Sequence, residues 1–268
     1  MKLTLLALLC ASIAVTACDV SQDEEVQIGK ANAEQAAAQL PLVNDVYINA
    51  YITELGDTIA SHTSRADLQW HFYIVNSHEV NAFALPGGYI YVNRGLIEST
   101  DRVDELAGVL GHEIGHVIQR HSVRQMQNQQ EIGVVAQLAC TLTNLCDSKL
   151  GQAAVNVGGN AIISRYSRTD ELEADSEAVE NVLRVKIDPE GIPALFEVLM
   201  QQRKSQPSIV EAWFSTHPLE ESRIQNADAL IRKSGADRVG GLLQNLPSYM
   251  EFRPRVASLP EPAASPSR

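Results

Sequence analysis

The amino-acid sequence predicts an α+β fold, mainly helical, with a small β-sheet ahead of one long amphipathic helix. Three observations carry this expectation. Apolar residues recur at helical spacing through most of the chain. Aromatic and β-branched residues gather in short runs between 68 and 93, as strands require. Pro86-Gly87-Gly88 punctuates that stretch, which is strong turn chemistry between two short strands.

The elements follow in chain order. Residues 1–17 have the layout of a secretory signal peptide: Met1-Lys2 is a short positive start, Leu3 to Val15 a mostly apolar run, and Thr16-Ala17 a small-residue end. The run is too short to read as a membrane-spanning helix. Val15-Thr16-Ala17-Cys18 has the form of a lipobox, so Cys18 is expected to be a lipidated N-terminus and the protein an exported, periplasmic lipoprotein on the inner or outer bacterial membrane, the alternative being ordinary signal cleavage nearby with Cys18 incidental. Residues 18–29 are polar and acidic and are expected to be a tether. The folded domain is expected over 30–250, with one or two helices in 30–60, strands at Leu68–Val75, Val80–Leu85 and Tyr89–Asn93, and the last two strands paired as a hairpin.

Ser99-Thr100-Asp101 then caps a helix whose apolar face is Val103, Leu106, Ala107, Leu110, Ile114, Val117 and Ile118, expected to run to about Asn128. Residues 132–163 are rich in Ala, Val and Gly and read as a buried helix pair or a mobile flap. Cys140 and Cys146 in this stretch either pair across a short loop in an oxidising compartment or remain buried thiols. Further helices are expected over about 168–184, from Asp188-Pro189 to Arg203, and from Thr216 to Lys233, stopped near Gly235. Residues 251–268, rich in Pro, Ala and Ser from Pro254, are expected to be a disordered tail.

Composition narrows the function. The 268 residues suffice for one domain with a real core, and 45% hydrophobic with 20% charged residues is ordinary for a globular protein. A net charge of −12 argues against nucleic acid as a partner, because phosphate binding needs a basic surface. Membrane association is therefore expected through a lipid anchor and not through anionic headgroups.

The chemistry lies in His112-Glu113-Ile114-Gly115-His116. Positions i and i+4 are neighbours on one helical face, so both imidazoles can reach one ion, and zinc takes neutral imidazole well. Zinc is favoured over cobalt, manganese or nickel by ligand type. Glu113 is placed to act on the water that a catalytic zinc carries in its open position. Gly108, Gly111 and Gly115 flank the histidines and allow another segment to approach. The best third ligand is Glu171, with Asp175 one turn on to accept the remaining N–H of a ligating imidazole. Glu173 is a rival that points about 200° away from Glu171. His121 points away from the metal and reads as structural, while His62, His71 and His78 read as surface or core histidines.

HExxH followed by Glu-x-x-Ala-Asp resembles the gluzincin endopeptidases related to HtpX, to the CAAX prenyl endopeptidases and to the mitochondrial Oma-type proteases. The closer resemblance is to the periplasmic branch of BepA-like and LoiP-like proteins. It is carried also by Asn81-Ala82-Phe83-Ala84-Leu85-Pro86-Gly87-Gly88-Tyr89-Ile90-Tyr91-Val92, by Tyr166-Ser167-Arg168, and by Ser215-Thr216-His217-Pro218 with Arg223, and covers about residues 25–235. Neither an integral membrane helix like that of HtpX nor a BepA-type repeat domain is expected with it. The resemblance implies a gluzincin-type zinc metalloendopeptidase with one zinc per chain held by His112, His116 and Glu171, and Glu113 as general base. It implies polypeptide substrates, misfolded or misassembled envelope proteins among them. His217 or Arg223 is nominated as the donor to the oxyanion, and His217 also as an occupant of the open metal position in a latent form. Extended substrate is expected to add as a strand beside Phe83, Ala84 and Leu85. Two other functions use the same residues: an envelope chaperone or adaptor that keeps the zinc fold, and a zinc amidase acting on cell-wall peptides.

Overall fold

In the computed structural model the described residues are 20–129, 165–218, 221–236 and 239–261. Cys18, Cys140, Cys146 and residues 132–163 lie outside them, as do the signal segment and residues 262–268.

Helix α1 (Gln22–Gln39) replaces the expected tether. Its start is a capping box, in which Glu24 N–H donates to Ser21 Oγ and Ser21 N–H donates to Glu24 Oε2. Asp23, Glu24 and Glu25 suit the positive end of the helix dipole. The polar composition that suggested a solvated tether is partly buried: Glu25 is fully covered and held by Arg65 and Arg120. Helix α2 (Val46–Ala60) is capped by Asp45, whose Oδ1 accepts from the Tyr47 and Ile48 N–H groups, and buries Ile48, Ile52 and Ile59.

The sheet has β1 (His71–Val75), β2 (Ala82–Leu85) and β3 (Tyr89–Asn93) in the order β1-β3-β2. The expected hairpin is present: β2 and β3 are antiparallel, with Phe83 opposite Tyr91. Gly87 and Gly88 take positive φ, 76° and 96°, which only glycine adopts freely. β1 runs parallel to β3, from His71 beside Tyr89 to Val75 beside Asn93. One face of the sheet joins the main core through Phe72, Ile74, Ala82, Ala84, Ile90 and Val92. The other face packs Phe83, Leu85 and Tyr91 against Ala33 of α1.

A short helix α3 (Arg94–Glu98), not expected, follows β3 directly. Arg94 donates to the backbone carbonyls of Ala257 and Leu259, tying this turn to the C-terminal region. Helix α4 (Val103–Ile118) begins at Arg102 and not at Ser99, which ends α3. Glu105 reaches back to the Asp101 and Arg102 N–H groups. The helix does not run unbroken to Asn128: Arg120 takes a left-handed φ of 54°, and a new helical segment covers 121–129. Arg120 is bound there by Glu25 and the Val20 carbonyl.

Helix α5 (Arg168–Arg184) opens with a capping box between Ser167 and Asp170 and packs along α4. The expected glycine flank makes this contact: a Cβ on Gly111 would sit 3.2 Å from Ala178 Cα, and one on Gly115 3.0 Å from Ala174 O. Helix α6 (Gly191–Ser205) starts two residues past Pro189. The helix expected from Thr216 to Lys233 is α8 (Glu221–Ser234), which starts five residues later, and a helix that was not expected, α7 (Pro207–Thr216), ends where it was to begin. Pro218 lacks an N–H and disfavours helical backbone at His217, which leaves the helix with φ −116° and ψ 88°.

Helix α9 (Pro247–Ala257) overturns the disordered tail for residues up to 257. Pro247 suits a first turn, and Tyr249, Phe252 and Val256 bury one face, with Phe252 stacked on Tyr51 of α2 at 4.2 Å. No helix among the described residues is long and apolar enough to cross a membrane.

Candidate metal centre

Helix α4 is buried along its whole length, so the histidine face does not meet solvent. It meets α5 and the α7–α8 junction. His112 and His116 lie one turn apart with their Nε2 atoms 3.0 Å from each other. Glu171 of α5 stands across from them, Oε1 3.5 Å from His116 Nε2 and Oε2 3.6 Å from His112 Nε2. His217 closes the group from the junction: its Nδ1 is 3.4 Å from His112 Nε2 and 3.2 Å from Glu171 Oε1. All four side chains are buried, and one ligand atom from each lies within 4.8 Å of all the others.

These separations fit a cation. Four ligands held tetrahedrally at about 2.0–2.1 Å from zinc stand ~3.3 Å apart, and the distances here run from 3.0 to 3.6 Å. The expected set of His112, His116 and Glu171 is thus brought together. His217, nominated from the sequence only as a donor or a latent occupant, stands within the same group as a fourth potential ligand.

Charge in the centre is settled by neighbours. Burial holds His116 well below the ordinary histidine range, so its ring is neutral and available as a ligand. Burial alone would push Glu171 up, but His217, His116 and His112 outweigh it and hold its carboxyl well below the usual range. Burial likewise opposes a charged His217, yet Glu171 and Glu113 raise it. Burial pushes Glu113 up, and His217 and His112 only partly offset this. Glu113 is fully buried beside His112, and neither carboxylate oxygen has a hydrogen-bond partner among the described residues. Its nearest charged neighbour is His217, with Nε2 3.5 Å from Glu113 Oε1, and a carboxylate free of hydrogen bonds beside a ligand cluster is the position a base needs.

A layer behind the centre orients it. Asp175 Oδ1 lies 2.9 Å from His112 Nδ1. Arg223 binds Asp175 with both Nε and Nη2, at 2.8 and 2.6 Å, and its Nη1 donates to Glu171 and to the Pro218 carbonyl. All three guanidinium nitrogens are therefore engaged on the far side of the carboxylates. This removes Arg223 from the role of oxyanion donor; it holds Glu171 and Asp175 in place instead. Asp175 stands where the sequence pattern put it. His121, read as structural, in fact touches the centre, with its Nδ1 2.7 Å from His116 Nδ1. Glu173 is not a rival ligand: it bonds His121 and Arg124 on the outer side of α5. Tyr166 stacks on His116 at 3.8 Å and shares a hydrogen bond with Ser122. The sequence marked it only as part of the Tyr166-Ser167-Arg168 segment that carries the resemblance, without a role.

The β2 edge faces the centre. Asn93 N–H donates to Asn81 O, which sets the phase of the hairpin: residues 83 and 85 exchange bonds with β3, and the backbone groups of Ala82 and Ala84 turn outward. Ala82 O lies 3.3 Å from His217 Nε2, and Ser122 Oγ donates to Ala84 O at 3.5 Å. The remaining histidines are elsewhere. His62 bonds its own helix, His71 stacks on Tyr89, and His78 pairs with Glu98 and Glu261.

Comparison with known proteins agrees with this geometry. The pattern of Peptidase family M48 matches residues 47–231. The chain is 32% identical over 216 residues to the beta-barrel assembly-enhancing protease of Escherichia coli (strain K12), covering 78% of this chain and 44% of that protein. It is 26% identical over 211 residues to the mitochondrial metalloendopeptidase OMA1 of Schizosaccharomyces pombe, covering 79% and 60%. It is 27% identical over 203 residues to the metalloprotease YcaL of Escherichia coli (strain K12), covering 74% and 77%. The chain thus spans less than half the length of the beta-barrel assembly-enhancing proteases it matches. With the pattern covering most of its length and the HExxH residues assembled in a buried cluster, the chain belongs to peptidase family M48.

Proposed function

We propose that this protein is a zinc-dependent endopeptidase that hydrolyses peptide bonds in envelope proteins. The observation that carries the reading is the buried group of His112, His116, Glu171 and His217 with the Glu113 carboxylate beside it, free of hydrogen bonds among the described residues. His112, His116 and Glu171 hold one zinc per chain, an assignment supported by their imidazole and carboxylate donors and tetrahedral spacing. Zinc, when bound, supplies Lewis acidity, which acidifies water and polarises a scissile carbonyl.

The chain's own residues do the rest. Glu113 takes a proton from the attacking water on a carboxylate oxygen and returns it to the leaving amine. Asp175 holds the His112 ring, and Arg223 fixes both carboxylates. Substrate lies extended along β2 beside Phe83, Ala84 and Leu85, using the outward backbone groups of Ala82 and Ala84. His217 sits between that edge and Glu171, so it either donates to the developing oxyanion or keeps the centre latent until it moves.

The substrates are misfolded or misassembled envelope polypeptides. The signal-like N-terminus, Cys18 as a lipid anchor on the inner or outer membrane, and the beta-barrel assembly role in the relatives' name support a periplasmic, membrane-attached quality-control protease. The test compares wild type with Glu113→Gln, measuring bound zinc and casein cleavage together. Zinc in both with cleavage only in wild type is the expected result. Equal cleavage by both proteins would remove Glu113 as the base.

A further inference from the structure

The two histidines of the HExxH helix are supported in different ways. His112 is backed directly by the Asp175 carboxylate, 2.9 Å from its Nδ1. His116 is backed by a second imidazole: its Nδ1 is 2.7 Å from His121 Nδ1, and His121 Nε2 is 3.0 Å from Glu173 Oε2. Proton placement along this chain has one solution if His116 turns Nε2 to a cation. A neutral imidazole that offers one nitrogen's lone pair carries its proton on the other. His116 Nδ1 is then the donor and His121 Nδ1 the acceptor. The His121 proton must sit on Nε2, where the Glu173 carboxylate accepts it.

The backbone is built to make this contact. In a continuous α-helix, position i+5 lies about 140° around the axis from position i, so His121 would turn away from His116. The left-handed Arg120, held by Glu25, breaks α4 and starts the 121–129 segment in a new direction. His121 is thereby buried against His116. The carboxylate end is anchored too, since Arg124 donates to both Glu173 and Asp170, at 2.9 and 3.0 Å. His121, Asp170 and Glu173 have the spacing of a metal-holding group, but Arg124 already bonds both acids and His121 Nδ1 is turned to His116, so they act as support and not as a second metal site.

We propose that His121, with Glu173 behind it, is the positioning pair that fixes the ring and tautomer of His116 for the metal. The proposal rests on the zinc reading above. Its test is zinc affinity of the full chain, measured by competition with a chromophoric chelator, for wild type, His112→Ala, His121→Phe, His121→Gln and Glu173→Gln. Loss of such support typically weakens metal binding about 10–100-fold. His121→Phe, which keeps a flat ring but accepts nothing, should fall in that range. His121→Gln should recover to within a few-fold of wild type, because its amide oxygen accepts and its amide N–H donates along the same line. Glu173→Gln should show a smaller loss in the same direction, and it lies on the outer side of α5, so the fold is spared. Nitrogen NMR of the zinc-loaded protein should find His116 protonated at Nδ1. Wild-type affinity in His121→Phe, or His121→Gln no better than His121→Phe, would overturn the proposal. If His121→Phe does not fold, Glu173→Ala, which leaves His121 Nε2 no acceptor there, decides: weakened binding supports the pair and unchanged binding overturns it. A wild type that holds no zinc, indistinguishable from His112→Ala, would be a failure of the zinc reading itself.

Discussion

Replacing Arg223 with methionine should destabilise the metal-free protein far more than an ordinary substitution, and bound zinc should repair part of the damage. Arg223 is buried and gives hydrogen bonds to Asp175 and Glu171, both fully buried. Methionine fills similar space but leaves the buried Asp175 without its main cationic partner and removes one hydrogen bond from Glu171. Breaking a buried pair by removing one partner costs about 3–5 kcal/mol. For a domain of this size each kcal/mol lowers Tm by about 2–4 °C, so the expected drop is ~6–20 °C. Thermal unfolding of chelator-treated protein, followed by circular dichroism with and without added zinc, measures it. The sign of the pH dependence also follows. Asp175 and Glu171 are both held below the usual carboxylate range, against the opposing effect of burial, Asp175 chiefly by Arg223 and Glu171 chiefly by His217. Carboxylates with lowered folded-state pKa values contribute stability that is complete above their unfolded values, near 4, and is lost as pH falls through the folded ones. The gap between wild type and Arg223→Met should therefore be full at neutral pH and narrow in acid. A variant within about 0.5 kcal/mol of wild type at pH 7, with the same response to zinc, would refute the buried-pair reasoning.

Three further outcomes are expected. His217→Ala should change casein turnover while leaving the protein folded, with a rise if His217 holds the centre latent and a fall if it donates to the oxyanion; unchanged turnover would remove it from the site. Ala84→Pro should depress peptide cleavage but keep the hairpin, because the Ala84 N–H points to the outer edge and not into the β3 ladder; intact cleavage of long peptides would rule out strand addition there. Gly115→Ala puts a Cβ 2.9 Å from Glu177 Cβ and 3.0 Å from Ala174 O, so α4 and α5 must part. The expected cost is about 1–3 kcal/mol with weaker zinc binding, since the shift carries Glu171 away from the histidines; a stable variant with normal affinity would show that the crossing has slack.

What could be read in the sequence was what depends on local spacing. The pairs His112/His116 and Glu171/Asp175 are each one helical turn apart, so their shared faces follow from helix geometry alone. Gly87 and Gly88 marked the hairpin because the turn demands positive φ. What failed depends on distant partners. The acidic segment around Glu25 looked solvated because nothing nearby in sequence announces Arg65, 40 residues on, or Arg120. Arg223 looked free to serve an oxyanion because spacing says nothing of which way a guanidinium turns. Pro254 suggested a tail, although Tyr249, Phe252 and Val256 had the periodicity of a docked helix. The break at Arg120 was invisible because its left-handed backbone is imposed by Glu25, and with it the contact of His121 to His116 was missed. The parallel pairing of β1 with β3 was likewise not legible, since register between separated strands is set by the packed core and not by either strand.

The central claim is that α4, α5 and the α7–α8 junction assemble one zinc centre. Its most direct test is the metal content of purified wild type, Glu113→Gln, His116→Ala and Glu171→Ala, each shown to be folded by circular dichroism. One zinc per chain in wild type and Glu113→Gln, with loss in both ligand variants, is the expected result. Full zinc occupancy in folded His116→Ala and Glu171→Ala would place the metal elsewhere and contradict the account.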